Sequence, residues 1–398
     1  MKPLAGVTIL DLSRVLACPF AGMILAELGA TVIKVEQPGE GDETRGFEPF
    51  VEKNGAIESA YYMAFNRSKE SITVNLRTPE GQAIIRELAA QADVFVENFP
   101  VGTMKRYGLD YPAIKAVNDR VVYMSCTGFG QTGPYARRKG YDTVFQAMAG
   151  LMSLTGERGG GPVKPGLPVA DLTSGLWIAI AILSALNGRH TTGQGSYTDF
   201  SMLDGQVGLL SLAAARYFAL GEVPPRLGTE HPGRVPSATF ACSDGKWLHI
   251  TCSDQHWLPL MKILDIEAWG SEPALLDNSV RVKRREEVMA RLQQAIVHWK
   301  REDLCRACDD AGVPAGPINH VDEVFADPQV IARGMRTQFL HPTLGSFDAV
   351  PLPFKFEGWD NPVAGTPPLL GQHTDALLGE RLGYTPERIA TLRAAKVI

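Results

Sequence analysis

"GVTILDLSRVLACPFAGMILAELGATVIKVE", residues 6–36, decides the fold class. It opens on a β-rich run, "GVTILDLS" (6–13), passes through a helix-like stretch, "PFAGMILAELGA" (19–30), and returns to a second β run, "TVIKVE" (31–36). Pro19 suits a first helical turn and Gly29 a helix end. The alternation continues through "SITVNL" (71–76), the helical "TPEGQAIIRELAAQA" (78–92), "DVFVENF" (93–99), the helical "YPAIKAVN" (111–118) and "RVVYMSCTGFG" (120–130). Strands alternating with helices predict an α/β fold: a doubly wound, Rossmann-like, mainly parallel sheet. Such sheets take ligands in the crevice at the carboxyl ends of their strands.

The loops after these strands are Gly-rich and carry Arg or Lys: "QPGEGDETRG" (37–46), "NFPVGTMKRYG" (98–108) and "GQTGPYARRKGYD" (130–142). The first strand–helix turn, "SRVLACPFAG", lacks G-x-G-x-x-G, and no G-x-x-x-x-G-K-[ST] occurs, so neither a dinucleotide fingerprint nor a P-loop is present. A Pro/Gly-rich connector, "GEVPPRLGTEHPGRVPS" (221–237), precedes a strand, "KWLHITCS" (246–253), and further helices. We expect a large domain over 1–220, a smaller α+β domain over 225–330, and a C-terminal segment, 331–398, that returns to the first.

Bulk properties narrow the function classes. The 398 residues carry 39 Lys+Arg against 44 Asp+Glu, a formal charge of −5, which lacks the basic footprint of a nucleic-acid binder. The six cysteines follow no disulfide framework, and "CRAC" (305–308) has no second pair to complete a zinc site, so it reads as a helical segment. The eight histidines form no metal-binding spacing, and no G-x-S-x-G elbow exists. The N-terminus does not read as a signal peptide. The apolar run "LWIAIAILSAL" (176–186) falls short of the ~20 residues that span a bilayer. The expectation is a cytoplasmic protein with no metal, membrane or nucleic-acid partner.

Just before that run stands "PVADLTSG" (168–175). Its plain reading is structural: Asp171, Thr173 or Ser174 caps a helix over 175–188. Its chemical reading uses the same geometry, because a helix N-terminus favours an anion. An ionised Asp can act as a covalent nucleophile. The Gly-rich "TGERGGGPVKPG" (155–166) ahead of it would let a substrate approach closely.

"LAGVTILDLSRVLACPFAGMILAELGATVIKVEQPGEGDETRG", "RTPEG", "ADVFVENF", "GFGQTGPYA", "GYDTVFQAMAGLMSLTG", "PVADLTSG" and "PLLGQHTDALL", in this order, resemble the class III CoA-transferases across essentially the whole chain. The resemblance implies that Asp171 attacks an acyl-CoA thioester, with mixed-anhydride and aspartyl-CoA intermediates, and that coenzyme A is a substrate rather than a resident cofactor. It places Val74, Asn75, Leu76, Arg77, Asn98, Phe99, Arg106, Lys139, Tyr141 and Asp142 along the CoA. It also implies ring-like subunits interlocked as a homodimer.

Within the family, racemases carry His-Asp where this chain has Tyr141 and Asp142. A phenol with pKa near ~10 is a poor base at neutral pH, which favours CoA transfer over the alternative, 2-methylacyl-CoA racemisation. A non-catalytic CoA-binding protein is the third reading, with Asp171 only a cap. Formyl-CoA transferases carry Gln where Leu16 stands here. The segment "GTEHPGRVPS" (228–237) is similar to transferases acting on succinyl-CoA and dicarboxylates. The expected reactants are thus succinyl-CoA or a like donor and a small dicarboxylic acid, with Arg14, Arg45, His231 or Arg234 as candidates for its second carboxylate.

Overall fold

The computed structural model describes residues 1–398 and divides into two compact units. The larger contains Met1–Leu151, Pro165–Ala214 and Gln329–Ile398; the smaller contains Met152–Lys164 and Ala215–Pro328. The C-terminal segment thus belongs to the larger unit, and the Gly-rich stretch at 152–164 belongs to the smaller one rather than to the large domain expected over 1–220.

In chain order the larger unit begins with β1 (Thr8–Asp11), α1 (Ala17–Glu27), β2 (Thr31–Glu36) and a hairpin of β3 (Phe50–Lys53) and β4 (Ala56–Ser59). It continues with α2 (Ala60–Asn66), β5 (Glu70–Thr73), α3 (Pro79–Ala89), β6 (Val94–Glu97), α4 (Thr103–Tyr107), α5 (Tyr111–Val117) and β7 (Val122–Thr127). Then come α6 (Asp142–Met148), the short α7 (Leu151–Leu154), which passes into the smaller unit after Leu151, and, back in the larger unit, α8 (Val169–Thr192), β8 (Ser196–Ser201) and α9 (Met202–Gly208). Six strands form one sheet in the order β5-β2-β1-β6-β7-β8, and every pairing is parallel.

Alternate residues of these strands feed two cores. Leu10, Ile33, Ile72, Phe95 and Tyr123 face one, shared with α3 and with Leu377, Leu378 and Ile389 of the returning C-terminus. Ile9, Val32, Val94, Val96, Val122 and Met124 face the other, against α1 and Ile178, Ile182 and Leu186 of α8. Burial on both faces explains the near-continuous apolar runs of the inner strands. β8 is the edge strand; its sequence "SYTDFS" alternates burial and leaves Tyr197 41% exposed.

α8 is a single 24-residue helix, long and apolar enough by length and composition to cross a membrane. Here its inner stripe packs on α1 and the sheet. Gly175 permits this approach, because a Cβ there would lie 2.8 Å from the Ala17 carbonyl oxygen and 2.8 Å from the Phe20 ring. The smaller unit holds an antiparallel sheet of β9 (Ser237–Ala241), β10 (Trp247–Thr251) and β11 (Ala315–Pro317), with helices enclosing its own core around Trp257. Cys305 and Cys308 lie on one of these helices, Arg301–Asp310.

Candidate active site

The chain passes from β1 outward to β2 and β5, then returns to β6, β7 and β8 on the other side of β1. The topological switch point therefore lies between β1 and β6, where doubly wound sheets open a crevice. Asn98, just past β6, ties the two facing loops together. Its Oδ1 accepts from the Arg14 amide (2.9 Å) and its Nδ2 donates to the Arg14 carbonyl (2.8 Å). Beside it Val15 holds φ at 71°, a costly conformation for a β-branched residue, on the order of 1–3 kcal/mol.

A cleft of about 380 Å³ opens at this point, and Val74, Leu76, Arg77 and Phe99 line it, together with Leu12, Arg14 and Thr103. The Arg14 guanidinium lies over the Phe99 ring, 4.6 Å from its centroid. The Asn98 and Asn75 side chains both have partners within the protein. Asn98 is a brace, and Asn75 bonds the C-terminal strand of chain through its amide (2.7 Å to the Val397 carbonyl) and accepts from the Arg77 amide (3.1 Å). Arg106 is exposed on α4 and donates to Thr103 (3.2 Å), one of the cleft residues. Lys139 and Tyr141 are exposed in the loop before α6, Tyr141 to 78%.

The floor of the cleft is ion-paired. Lys34 bonds Asp42 (2.7 Å) and the Ser13 carbonyl (3.0 Å), while Lys69 bonds Asp11 (3.0 Å). Arg45, a candidate for a substrate carboxylate, is already engaged: it bonds Glu36 through two nitrogens at 2.7 Å each, the Tyr62 hydroxyl at 2.6 Å and the Pro368 carbonyl at 3.2 Å. These bonds engage its Nε and Nη2 and tie it to the scaffold. His231 lies in the smaller unit, where its ring accepts from the Gly233 amide (3.1 Å). Arg226 likewise closes on the Gly160 carbonyl there (2.6 Å), so the Gly-rich loop has internal partners.

Asp171 occupies the first turn of α8, which starts at Val169 rather than at 175. Neither Asp171, Thr173 nor Ser174 caps the helix. Thr173 donates back to the Val169 carbonyl (2.6 Å), and the buried Ser174 hydroxyl has no partner. The cap comes from outside the helix. Asp142, at the start of α6, accepts the amides of Ala170 (2.8 Å) and Asp171 (3.1 Å) on one oxygen, and its other oxygen accepts from Gln146. Asp142 thus serves the helix terminus, beside Asp171.

This arrangement reverses one electrostatic expectation. The helix terminus does not hold the Asp171 side chain ionised, because Asp142 already takes its free amides. Burial, and then the Asp142 charge, push Asp171 up to about 7. No Lys, Arg or His nitrogen lies within 4.0 Å to offset them. Tyr61 on α2 also belongs to this region. Burial, then the charges of Asp171 and Asp142, push its phenol up to about 12. Its ring packs edge-on between Phe47 (5.6 Å) and Phe65 (5.5 Å). No sequence motif marks Tyr61; only the fold brings α2 to Asp171.

A parallel sheet with a switch-point cleft, and an Asp at a helix start that burial lifts to about 7, suit an α/β enzyme with a carboxylate nucleophile. Residues 4–374 match CoA-transferase family III, and the chain belongs to that family. It is 42% identical to the succinyl-CoA:glutarate CoA-transferase of Homo sapiens over 405 residues, covering 100% of this chain and 90% of the relative. It is 41% identical to the succinate–glutarate CoA-transferase of Agrobacterium fabrum, covering 98% of each chain. Among solved structures, a CAIB/BAIF family protein from Brucella suis superimposes with a TM-score of 0.87 at 42% identity, over 96% of this chain and 99% of that one.

Proposed function

We propose that this CoA-transferase moves CoA from succinyl-CoA to a dicarboxylic acid of glutarate type, with Asp171 as nucleophile. The observation that carries this reading is the full-length similarity to succinyl-CoA:glutarate CoA-transferases from two distant organisms. An Asp171 oxygen attacks the thioester carbon, the C–S bond breaks, and a succinyl–aspartyl anhydride forms with CoA thiolate released. The thiolate attacks the Asp171 carbonyl carbon, succinate leaves, and an aspartyl-CoA thioester remains. The acceptor carboxylate then attacks that carbon and expels the thiolate. Finally the thiolate attacks the acceptor's acyl carbon, giving the new acyl-CoA and a free Asp171 carboxylate.

Each thioester and anhydride would be lost to water, so the site must exclude it. The Tyr61, Phe47 and Phe65 rings supply an apolar wall beside Asp171, and the same burial raises its pKa. The 380 Å³ cleft takes the nucleotide end of CoA, with Arg14, Arg77 and Arg106 as its cations. The solvent-exposed Tyr141 offers no buried base at the racemase position. Leu176, Trp177 and Ile180 on the outer face of α8 are 41–53% exposed, and a second copy of the chain in a homodimer is our reading of what covers them.

An exchange screen read by mass tests the proposal: succinyl-CoA with a panel of mono- and dicarboxylic acids. Glutarate-length diacids should give the fastest exchange, and Asp171→Ala should abolish it while the melting transition survives. Near-wild-type transfer by Asp171→Ala would overturn the mechanism.

A further inference from the structure

The five most deeply buried acids all lie in the larger unit and follow a rule with one exception. Asp11 pairs with Lys69, Glu27 with Arg67, Glu36 with Arg45 and Asp42 with Lys34. Glu97, only 3% exposed at the end of β6, is in no ion pair. It accepts from the Ser125 hydroxyl and from the Phe99 amide (2.9 Å), which orient its carboxyl group without neutralising it. A buried carboxylate without a cation is costly and normally becomes protonated or finds a counter-charge.

Glu97 opens on a cleft of its own, of about 420 Å³, on the far side of the Phe99–Pro100 turn from the CoA cleft. That volume lies within the usual range for small-molecule pockets, roughly 300–1,000 Å³. Its walls are aromatic: Tyr111 stacks on Tyr197 (5.2 Å between centroids), and Tyr123 lies 5.8 Å from each. Ring faces and an uncompensated carboxylate are the two elements that recognise an organic cation.

We infer that this second cleft binds a small organic cation with a flat body, an amidinium or aryl ammonium, whose charge pairs with Glu97 and whose body stacks on Tyr111 and Tyr197. The site goes beyond the proposed reaction, whose substrates are all anions. The other charged or titratable groups near it are Asp199 and Tyr197 on β8, Tyr123 on β7, Cys18 on α1, Lys105 on α4, and Asp110, Tyr111 and Lys115 at α5, the Lys115 ammonium lying 5.7 Å from the Tyr111 ring centroid. Burial holds Glu97 up at about 7, with Asp199 adding to the rise, against the Ser125 and Phe99 hydrogen bonds. A group raised in this way binds a cation only as it ionises, so affinity should climb as pH rises through the neutral range.

Calorimetric titration of the full-length protein with benzamidinium, with benzoate as the control of the same shape and opposite charge, tests the inference. Benzamidinium should bind, benzoate should not, and affinity should increase from about pH 6 to about pH 8. Glu97→Gln keeps the acceptor oxygen for Ser125 or Phe99 and removes the charge; it should weaken binding about tenfold or more. Tyr197→Leu, at a half-exposed wall position that leaves the core untouched, should weaken it independently. Equal heats for Glu97→Gln and wild type, equal binding of benzoate, or displacement of benzamidinium by CoA would each overturn the assignment.

Discussion

Two groups of carboxylates, at β1–β2 and at the start of α8, show how one fold keeps acids in opposite states. At the ends of β1 and β2, burial pushes Asp11, Glu36 and Asp42 up, yet Lys69, Lys34, Arg45 and local hydrogen bonds outweigh it and hold all three below the usual range. At the start of α8, burial again pushes Asp171 up, but the nearest charge is another carboxylate, so nothing opposes the rise. Asp171 is the less deeply buried, yet it alone of the four is raised, so the difference is the sign of the neighbour. The first group underlies the 380 Å³ cleft. The second contains the proposed nucleophile, which burial lifts to about 7.

The sharpest way to break this contrast is to remove a cation from the first group. Lys69→Met should leave Asp11 buried without its partner and cost about 3–5 kcal/mol, read as a fall in the urea midpoint. A loss under about 1 kcal/mol would mean that Lys34 alone supports Asp11. Next comes the opposite change in the second group. Asp171 has a folded pKa above its unfolded value, so folding binds a proton and stability declines as pH rises from about 4 to about 7. Asp171→Asn should remove that penalty and raise stability at pH 8 by on the order of 2 kcal/mol, while transfer is lost.

Two smaller effects refine the picture. Wild-type transfer should rise with pH through about 7, as Asp171 ionises. Asp142→Asn retains an oxygen for the α8 amides and removes the neighbouring charge, so the midpoint of that profile should move down by up to about one unit. An unmoved midpoint would assign the whole shift to burial. Smallest is Ser174→Ala: its hydroxyl is buried and unpartnered, so the change should be neutral or slightly stabilising, within about 1 kcal/mol by thermal melt.

Much of the fold was readable because inner parallel strands are apolar runs and helices α1, α3 and α5 begin with Pro near the first turn or with a recognisable cap. The hairpin "FVEKNGAIES" carried a signal that went unread, Asn54-Gly55, whose positive φ angles of 56° and 75° make its turn; the edge strand "SYTDFS" was not readable, since a short, half-exposed strand carries too little apolar pattern. The start of α8 was misplaced for a different reason. Capping rules look within a few residues, whereas its cap, Asp142, stands 29 positions before Asp171. The same distance hid the raised pKa. Asp171 itself came from an ordered set of motifs, and Tyr61 and Glu97 had no such set to mark their roles.

Gly175 carries one further consequence. Residue 175 lies one helical turn beyond the nucleophile and touches the backbone of α1 at its first residue. The spacing of α8 on α1, one turn from Asp171, is therefore set by a hydrogen atom. A methyl group there would wedge the two helices apart, so the placement of Asp171 is open to change from a residue behind it.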